Sequence, residues 1–375
     1  MFVNRERLPY LLRPSHYSCG KQFERERRDL FASAWHPLCA AEELKSPGDY
    51  VTRRILGVPV LARNFDGELR AFLNVCTHRH CTISGERRGH SPSLRCQYHG
   101  WEFKSDGSSG HIPDAQSFRP LSGGPERLMS YPIRQCGPMV FVSLCEAPGA
   151  LEDWLCRGGE QLTDYPATRW RLHRNWEYAI QANWKIPIEN TIETYHIPIV
   201  HPRTLVEYAP ESEMHVELGE QHSFFSWNLT QDAGYVRRCN RLLPWIEPGY
   251  RHSPYYATSH MLPACFCIRT DLMLQFMTVH PVAAAQSVLE VWLFILMPMQ
   301  RSCVGSYVMR RWGKHKEAIV KAVLAEDLPL YEQLQEGLTN SPFRGTISSR
   351  EELIFNFQNF IVRQCGMSAD ELQSH

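Results

Sequence analysis

The chain has 375 residues, 43% apolar and 21% charged, with 40 Lys and Arg against 40 Asp and Glu and a formal charge of zero. That composition excludes disordered and fibrous classes. The missing basic surplus argues against a general nucleic-acid binder, and no window approaches the roughly 18 consecutive apolar residues of a membrane span.

At roughly 150 residues per domain, the length predicts two to three domains. The opening Met1-Phe-Val-Asn-Arg-Glu-Arg7 offers neither an apolar stretch nor a small-residue cleavage site, so a cytoplasmic location is expected. The thirteen cysteines then read as reduced thiols, most of them small core residues and some of them metal ligands. Arg5 to Ala34 is predicted helical, and residues 1–40 are assigned to a helical segment packing on the catalytic domain. Strand composition in Val51–Leu61 and Glu68–Val75, the Asp106-Gly107 turn and the apolar run Pro138–Leu144 predict an all-β domain over 41–150. Residues 151–375 combine a helix near 184–197, strands near 263–299 and a long C-terminal helix. This is an α+β pattern without βαβ alternation.

Cys76-Thr-His78 and Cys96-Gln-Tyr-His99 each offer one thiolate and one imidazole on loops between strands. Two Cys with two His is the ligand set of a Rieske 2Fe–2S centre, in which imidazoles replace thiolates on one iron. A structural zinc site uses the same residues, but C-x-H fits zinc spacing poorly. A plant-type ferredoxin run is not completed, because position 84 is Ser.

Asn183 to His196 reads as a helix entered near Pro187 and ended by Pro198. Its spacing places Glu189, Glu193 and His196 on one face, with His201 just past the break. Asp327 falls within an apolar stripe formed by Val320, Leu324, Leu328, Tyr331, Leu334 and Leu338, from which Glu326 points away; Pro329 should kink that helix. A carboxylate on a buried face is costly unless it is paired or bound to metal. His196, His201 and Asp327 would complete the 2-His-1-carboxylate triad of a non-haem Fe(II) oxygenase; an arginine partner or a cap would also explain Asp327.

Taken together the chain resembles the catalytic α subunit of a Rieske non-haem iron oxygenase. The resemblance rests on Gly48-Asp-Tyr-Val-Thr52, Leu73–Arg79, Cys96-x-Tyr-His-Gly-Trp101, Asn183-Trp-Lys185, Tyr195-His196 with His201-Pro202, and Glu326-Asp327. It implies an all-β Rieske domain inserted in a helix-grip catalytic domain with an antiparallel sheet, commonly a homotrimer. A carboxylate, here Glu193, would join cluster ligand His99 of one subunit to iron ligand His196 of the next. Three departures stand out: Glu193 replaces the usual Asp, as in relatives that oxidise carnitine-like compounds; His80 and Gln97 replace the usual Gly and Pro; and Cys81 lacks a disulfide partner because position 98 is Tyr. A histidine at position 80 requires that the loop not depend on positive φ there.

The expected cofactors are a 2Fe–2S cluster and mononuclear Fe(II), with Asn183 either orienting a ligand or water or simply capping the start of its helix. No G-x-G-x-x-G follows a strand, so a ferredoxin or an NAD(P)H-dependent flavin reductase must deliver electrons. The expected reaction is mono- or dioxygenation, or demethylation, of a small and preferably aromatic molecule. Oxidation of a quaternary ammonium compound of the carnitine, betaine or choline kind is the alternative. A Rieske electron carrier without catalysis and a zinc-stabilised interaction protein are the rivals from other classes.

Overall fold

The computed structural model describes residues 3–4, 6–118, 126–205, 213–228 and 231–373. The chain forms two compact units: Ala32–Gly149, and Met1–Phe31 together with Ala150–His375. The first unit is therefore inserted in the second. Arg5, where the predicted N-terminal helix begins, lies outside the described residues. That helical stretch is α1 (Gly20–Glu26), continued by a wider turn over Arg27–Phe31. Helix does not reach residue 40: Trp35–Ala40 is strand β1, and the ladder it makes carries an irregularity at Pro37, which has no N–H to give.

The inserted unit is all β. β2 (Asp49–Ile55), β3 (Val58–Phe65), β4 (Glu68–Leu73), β5 (Arg88–His90) and β8 (Ser130–Tyr131) make a five-stranded sheet in the order β5-β2-β3-β4-β8. β6 (Leu94–Arg95) pairs with β7 (Glu102–Phe103), and β9 (Ile133–Cys136) with β10 (Met139–Ser143), which also holds β1. Leu61, Phe72, Ile83, Leu94, Trp101, Phe103 and Leu128 form a small core around Cys76 and Cys96.

After α2 (Leu151–Leu155) and α3 (Arg157–Thr163), the second unit is built on a seven-stranded antiparallel sheet. Its strands are β11 (Trp170–Ile180), β12 (His215–Leu218), β13 (His222–Asn228), β14 (Tyr255–Met261), β15 (Cys265–Thr270), β16 (Met273–Ala283) and β17 (Gln286–Leu296), in the order β11-β17-β16-β15-β14-β13-β12. Helices α4 (Lys185–Thr191) and α5 (Ile197–Val200) follow β11, and α6 (Ala233–Leu242) precedes β14. The chain ends with α7 (Cys303–Asn340), α8 (Glu352–Gln364) and α9 (Ala369–Gln373). Among the described residues no helix is long and apolar enough to cross a membrane.

The stripe on α7 differs from its prediction in one respect. Leu334 is exposed, and Gln335 is buried in its place, its amide bound to the Asn183 N–H and the Tyr17 carbonyl. Pro329 stays inside the helix.

The N-terminal segment locks α4 in place. Lys185 Nζ lies 2.7 and 2.9 Å from the two Glu26 oxygens, and Trp184 Nε1 donates to the same carboxylate at 2.7 Å. Both charges are buried, so removing one partner costs about 3–5 kcal/mol.

Candidate metal centres

The predicted helix over 183–196 stops early. α4 ends at Thr191, because the Glu193 carboxylate accepts the backbone N–H groups of Tyr195 and His196 that a continuing helix would give to its own carbonyls. Pro198 does not end a helix either: it sits near the start of α5, where its missing N–H leaves nothing unsatisfied. Glu189 is consequently not on a shared face with Glu193 and His196. Its buried carboxylate accepts from Tyr10 at 3.0 Å, Tyr17 at 2.5 Å and Gln358 at 2.9 Å, and burial raises its pKa.

Asn183 is likewise taken up by structure. Its Nδ2 donates to the Ala284 carbonyl at 2.6 Å, and its Oδ1 accepts the Lys185 N–H at 3.0 Å. It therefore ties the start of α4 to a neighbouring turn, and none of its hydrogen bonds reaches the histidine pair.

The structure brings His196, His201 and Asp327 together. One ligand atom from each lies within 4.8 Å of the others. Asp327 Oδ1 is 3.1 Å from His201 Nε2 and 3.8 Å from His196 Nε2. Both outer imidazole nitrogens are engaged. His196 Nδ1 meets Glu193, and His201 Nδ1 lies 2.8 Å from Glu326, which also accepts from Thr204 Oγ1 at 2.5 Å. A neutral imidazole donating through Nδ1 turns its Nε2 lone pair outward. Two such lone pairs then face one carboxylate oxygen, an arrangement that repels unless a cation or a proton lies between them. Burial pushes the His201 pKa down, but Asp327 and Glu326 outweigh it and the net direction is up. The donor set therefore fits a divalent metal with a hard–borderline preference, such as Fe(II).

Two residues here escaped the sequence reading. Glu326, predicted to point away, reaches His201, since the helical stripe rule says nothing about a loop histidine beside the helix. Asn190 places Nδ2 3.5 Å from Asp327 Oδ1 and accepts from Tyr331 OH at 3.0 Å. The i, i+4 step from Asp327 to Tyr331 was the available signal.

In the inserted unit, Cys76 and Cys96 are buried. Burial, and then the neighbouring Cys96, push the Cys76 thiol up to about 11. The His78 ring stacks on Trp101 at 4.8 Å and meets the His99 ring at 4.7 Å. His78 Nδ1 is buried without a hydrogen-bond partner among the described residues, as expected of a nitrogen reserved for a metal.

The two loops repeat one backbone pattern. The His80 N–H donates to the Cys76 carbonyl at 3.0 Å and the Cys76 N–H to the Cys81 carbonyl at 2.8 Å. Gly100 and Cys96 do the same, at 3.1 Å to Cys96 and 2.8 Å to Trp101. Both turns need a left-handed residue: Gly100 has φ +73° and His80 φ +58°. The expectation that position 80 avoids positive φ is corrected, because the backbone keeps the turn and the histidine bears its strain. Gln97, in the usual proline's place, uses the N–H a proline lacks on the Ile83 carbonyl at 3.1 Å, and its amide holds Thr82 at 3.1 Å.

A third trio, Cys239, His252 and Asp271, also has metal-like spacing. Asp271 already accepts from Tyr235, Tyr250, His252 and the Lys316 ammonium, the last at 3.1 Å. A cation there would meet a resident positive charge.

A Cys2His2 loop pair in an all-β unit, with a 2-His-1-carboxylate trio beside a helix-gripped antiparallel sheet, defines a protein with two iron centres. The sequence of residues 34–132 matches the Rieske 2Fe–2S domain, and residues 167–367 match the catalytic domain of ring-hydroxylating α subunits. The chain belongs to the ring-hydroxylating α-subunit family. It is 33% identical over 190 residues to the carnitine monooxygenase oxygenase subunit of Escherichia coli K12, covering 50% of each. It is 26% identical over 206 residues to the toluate 1,2-dioxygenase α subunit of Pseudomonas putida, covering 51% of this chain and 44% of that one. The match thus spans about half the length of these curated relatives. The crystal structure of the quaternary ammonium Rieske monooxygenase CntA superposes with a TM-score of 0.76 at 20% identity, covering 96% of this chain and 95% of that one; the fold is shared. Family membership implies a 2Fe–2S cluster and a mononuclear non-haem iron, and both donor sets fit.

Proposed function

We propose that the protein is the terminal oxygenase component of a multi-protein system that uses dioxygen to hydroxylate or demethylate a small organic molecule. The observation that carries this reading is the convergence of His196, His201 and Asp327 with both outer imidazole nitrogens held by carboxylates. Cys76, His78, Cys96 and His99 would hold the cluster. When bound, the two iron groups supply electron storage and dioxygen reduction beside the substrate.

The chain's own residues set up that chemistry. Glu193 and Glu326 each hold a proton at an Nδ1, which fixes both tautomers and turns both Nε2 atoms inward. Asn190 braces the Asp327 carboxylate. Glu193 would also connect to His99 of a neighbouring subunit in a homotrimer. That placement is supported by the exposure of Tyr195 and Ile199 around the Glu193 turn and by the exposed His99. Electrons would come from a separate ferredoxin or flavin reductase. The domain we assign to the cluster is the inserted unit Ala32–Gly149, and the one we assign to the mononuclear iron is Ala150–His375 with the N-terminal segment.

The quaternary-ammonium reading is supported by the carnitine monooxygenase relative and by Glu193. The test is iron and acid-labile sulfide per chain on anaerobically purified protein, followed by incorporation of labelled dioxygen into product with a reductase present. About three iron and two sulfide with labelled product supports the oxygenase. Two iron, two sulfide and no product supports an electron carrier instead. Zinc without sulfide would overturn both.

A further inference from the structure

Residues opposite one another on an antiparallel ladder share a face. His260 lies opposite Ser223 and Phe266, and Thr258 opposite Phe225 and Ile268. The same face continues through Met277 and Val291 to Trp176 on β11. Lys321 of α7 sits 5.2 Å over the Trp176 ring, so α7 lies across this face. Asp327 follows six residues later, about 9 Å further along the helix at 1.5 Å per residue. At the other edge Val216 shares the face by its pairing with Phe225. Two residues before it, Met214 places its sulfur 4.0 Å from the hydroxyl of Thr194, in the turn between Glu193 and His196. This is the face of the sheet toward the metal trio.

It carries a row of rings. Trp227 stacks on Phe225 at 5.1 Å, and Phe225 on His260 at 5.4 Å. His260 is 1% exposed, and its Nδ1 lies 3.1 Å from Ser223 Oγ. Its Nε2 is buried and has no hydrogen-bond partner among the described residues. Burial pushes the imidazole pKa down to about 3, so the ring is neutral at physiological pH. Leaving a buried nitrogen unpaired is unfavourable, and a bound ligand would remove that cost. On β12 to β17 no residue of this face is acidic, so a cation would find rings there but no opposite charge.

We propose that His260 is a specificity-determining residue, its Nε2 hydrogen-bonding an uncharged oxygen of a flat aromatic substrate that lies along the Phe225–Trp227 wall. The proposal rests on the oxygenase reading and narrows its substrate class. The Ser223 hydroxyl can donate to or accept from Nδ1, so Nε2 can serve a carbonyl as donor or a phenol as acceptor.

The experiment is calorimetric titration of the iron-loaded holoenzyme with p-cresol, p-xylene and L-carnitine, in the native protein and in His260→Phe and His260→Gln. The native protein should prefer p-cresol to p-xylene by about tenfold or more. That preference should collapse toward unity in His260→Phe, with p-xylene still bound, and His260→Gln should keep part of it. His260→Leu reports the same ratio should the Phe variant fail to fold. A ratio unchanged in His260→Phe, or binding of L-carnitine without p-cresol, overturns the proposal. Dioxygen uptake on the same preparations separates the two readings: a His260-dependent ratio without uptake would sink the oxygenase and leave the binding assignment standing.

Discussion

The two metal centres differ in how far apart in sequence their ligands are. The proposed cluster ligands Cys76, His78, Cys96 and His99 sit on two adjacent loops that repeat one backbone turn, and each turn is closed by its own N–H groups. The candidate mononuclear trio draws His196 and His201 from the two ends of the short helix α5 and Asp327 from the long helix α7. Its shape depends on Glu193 and Glu326 gripping the outer faces of the two imidazoles. The first site is fixed mainly by local backbone geometry and the second mainly by side-chain contacts across the fold. Damage to the first should therefore be ligand-specific, whereas the second should also be sensitive to residues that never touch the metal.

The sharpest test of that contrast is Asp327→Ala. Iron per chain should drop from about three to about two with sulfide and the cluster spectrum retained, and turnover should fall to background. Iron that stays at about three would mean another residue serves as the third ligand. Glu193→Gln comes next. The carboxylate uses one oxygen for the backbone N–H groups and the other for the His196 Nδ1 proton, and an amide has only one acceptor oxygen, so single-turnover reduction of the mononuclear site should slow about 10–100-fold with both metals bound. Unimpaired reduction would remove Glu193 as the link.

Glu326→Gln should weaken metal affinity about 10-fold, read as the chelator concentration that strips the site, while the cluster signal is unchanged. An unchanged chelator midpoint would reduce Glu326 to a surface partner of Thr204. The smallest effect is expected at the cluster loop. His80→Gly relieves a left-handed side chain and should raise the stability of the holoprotein by about 1 kcal/mol in denaturant titration. A loss of stability would show that the His80 ring makes contacts worth more than its strain.

Much of this molecule was legible in the sequence where the governing interactions are short-range. C-x-H and C-x2-H announced the candidate cluster loops, and strand composition with a turn signal and an apolar run announced the strands. The apolar stripe on α7 exposed Asp327 as a charge in the wrong place. Legibility failed wherever a side chain competed with the backbone. Glu193 ended α4 by capturing N–H groups, so the predicted common face with Glu189 did not form, and Pro198 began a turn where it was expected to end a helix. Asn183 could be read as a ligand-orienting amide or as a cap, and its side chain serves the start of α4 and the Ala284 carbonyl.

By itself, then, the sequence named the two candidate ligand sets and the all-β Rieske domain. Each is a matter of residue type and spacing, and spacing survives folding. Only the tertiary structure decided that Glu326 supports His201, that Asn190 supports Asp327 and that His260 presents an unpaired nitrogen on the sheet face toward the metal trio. Those relations join residues far apart in the chain, and their energies come from burial and hydrogen-bond completion, which exist only once the sheet and α7 have closed on each other.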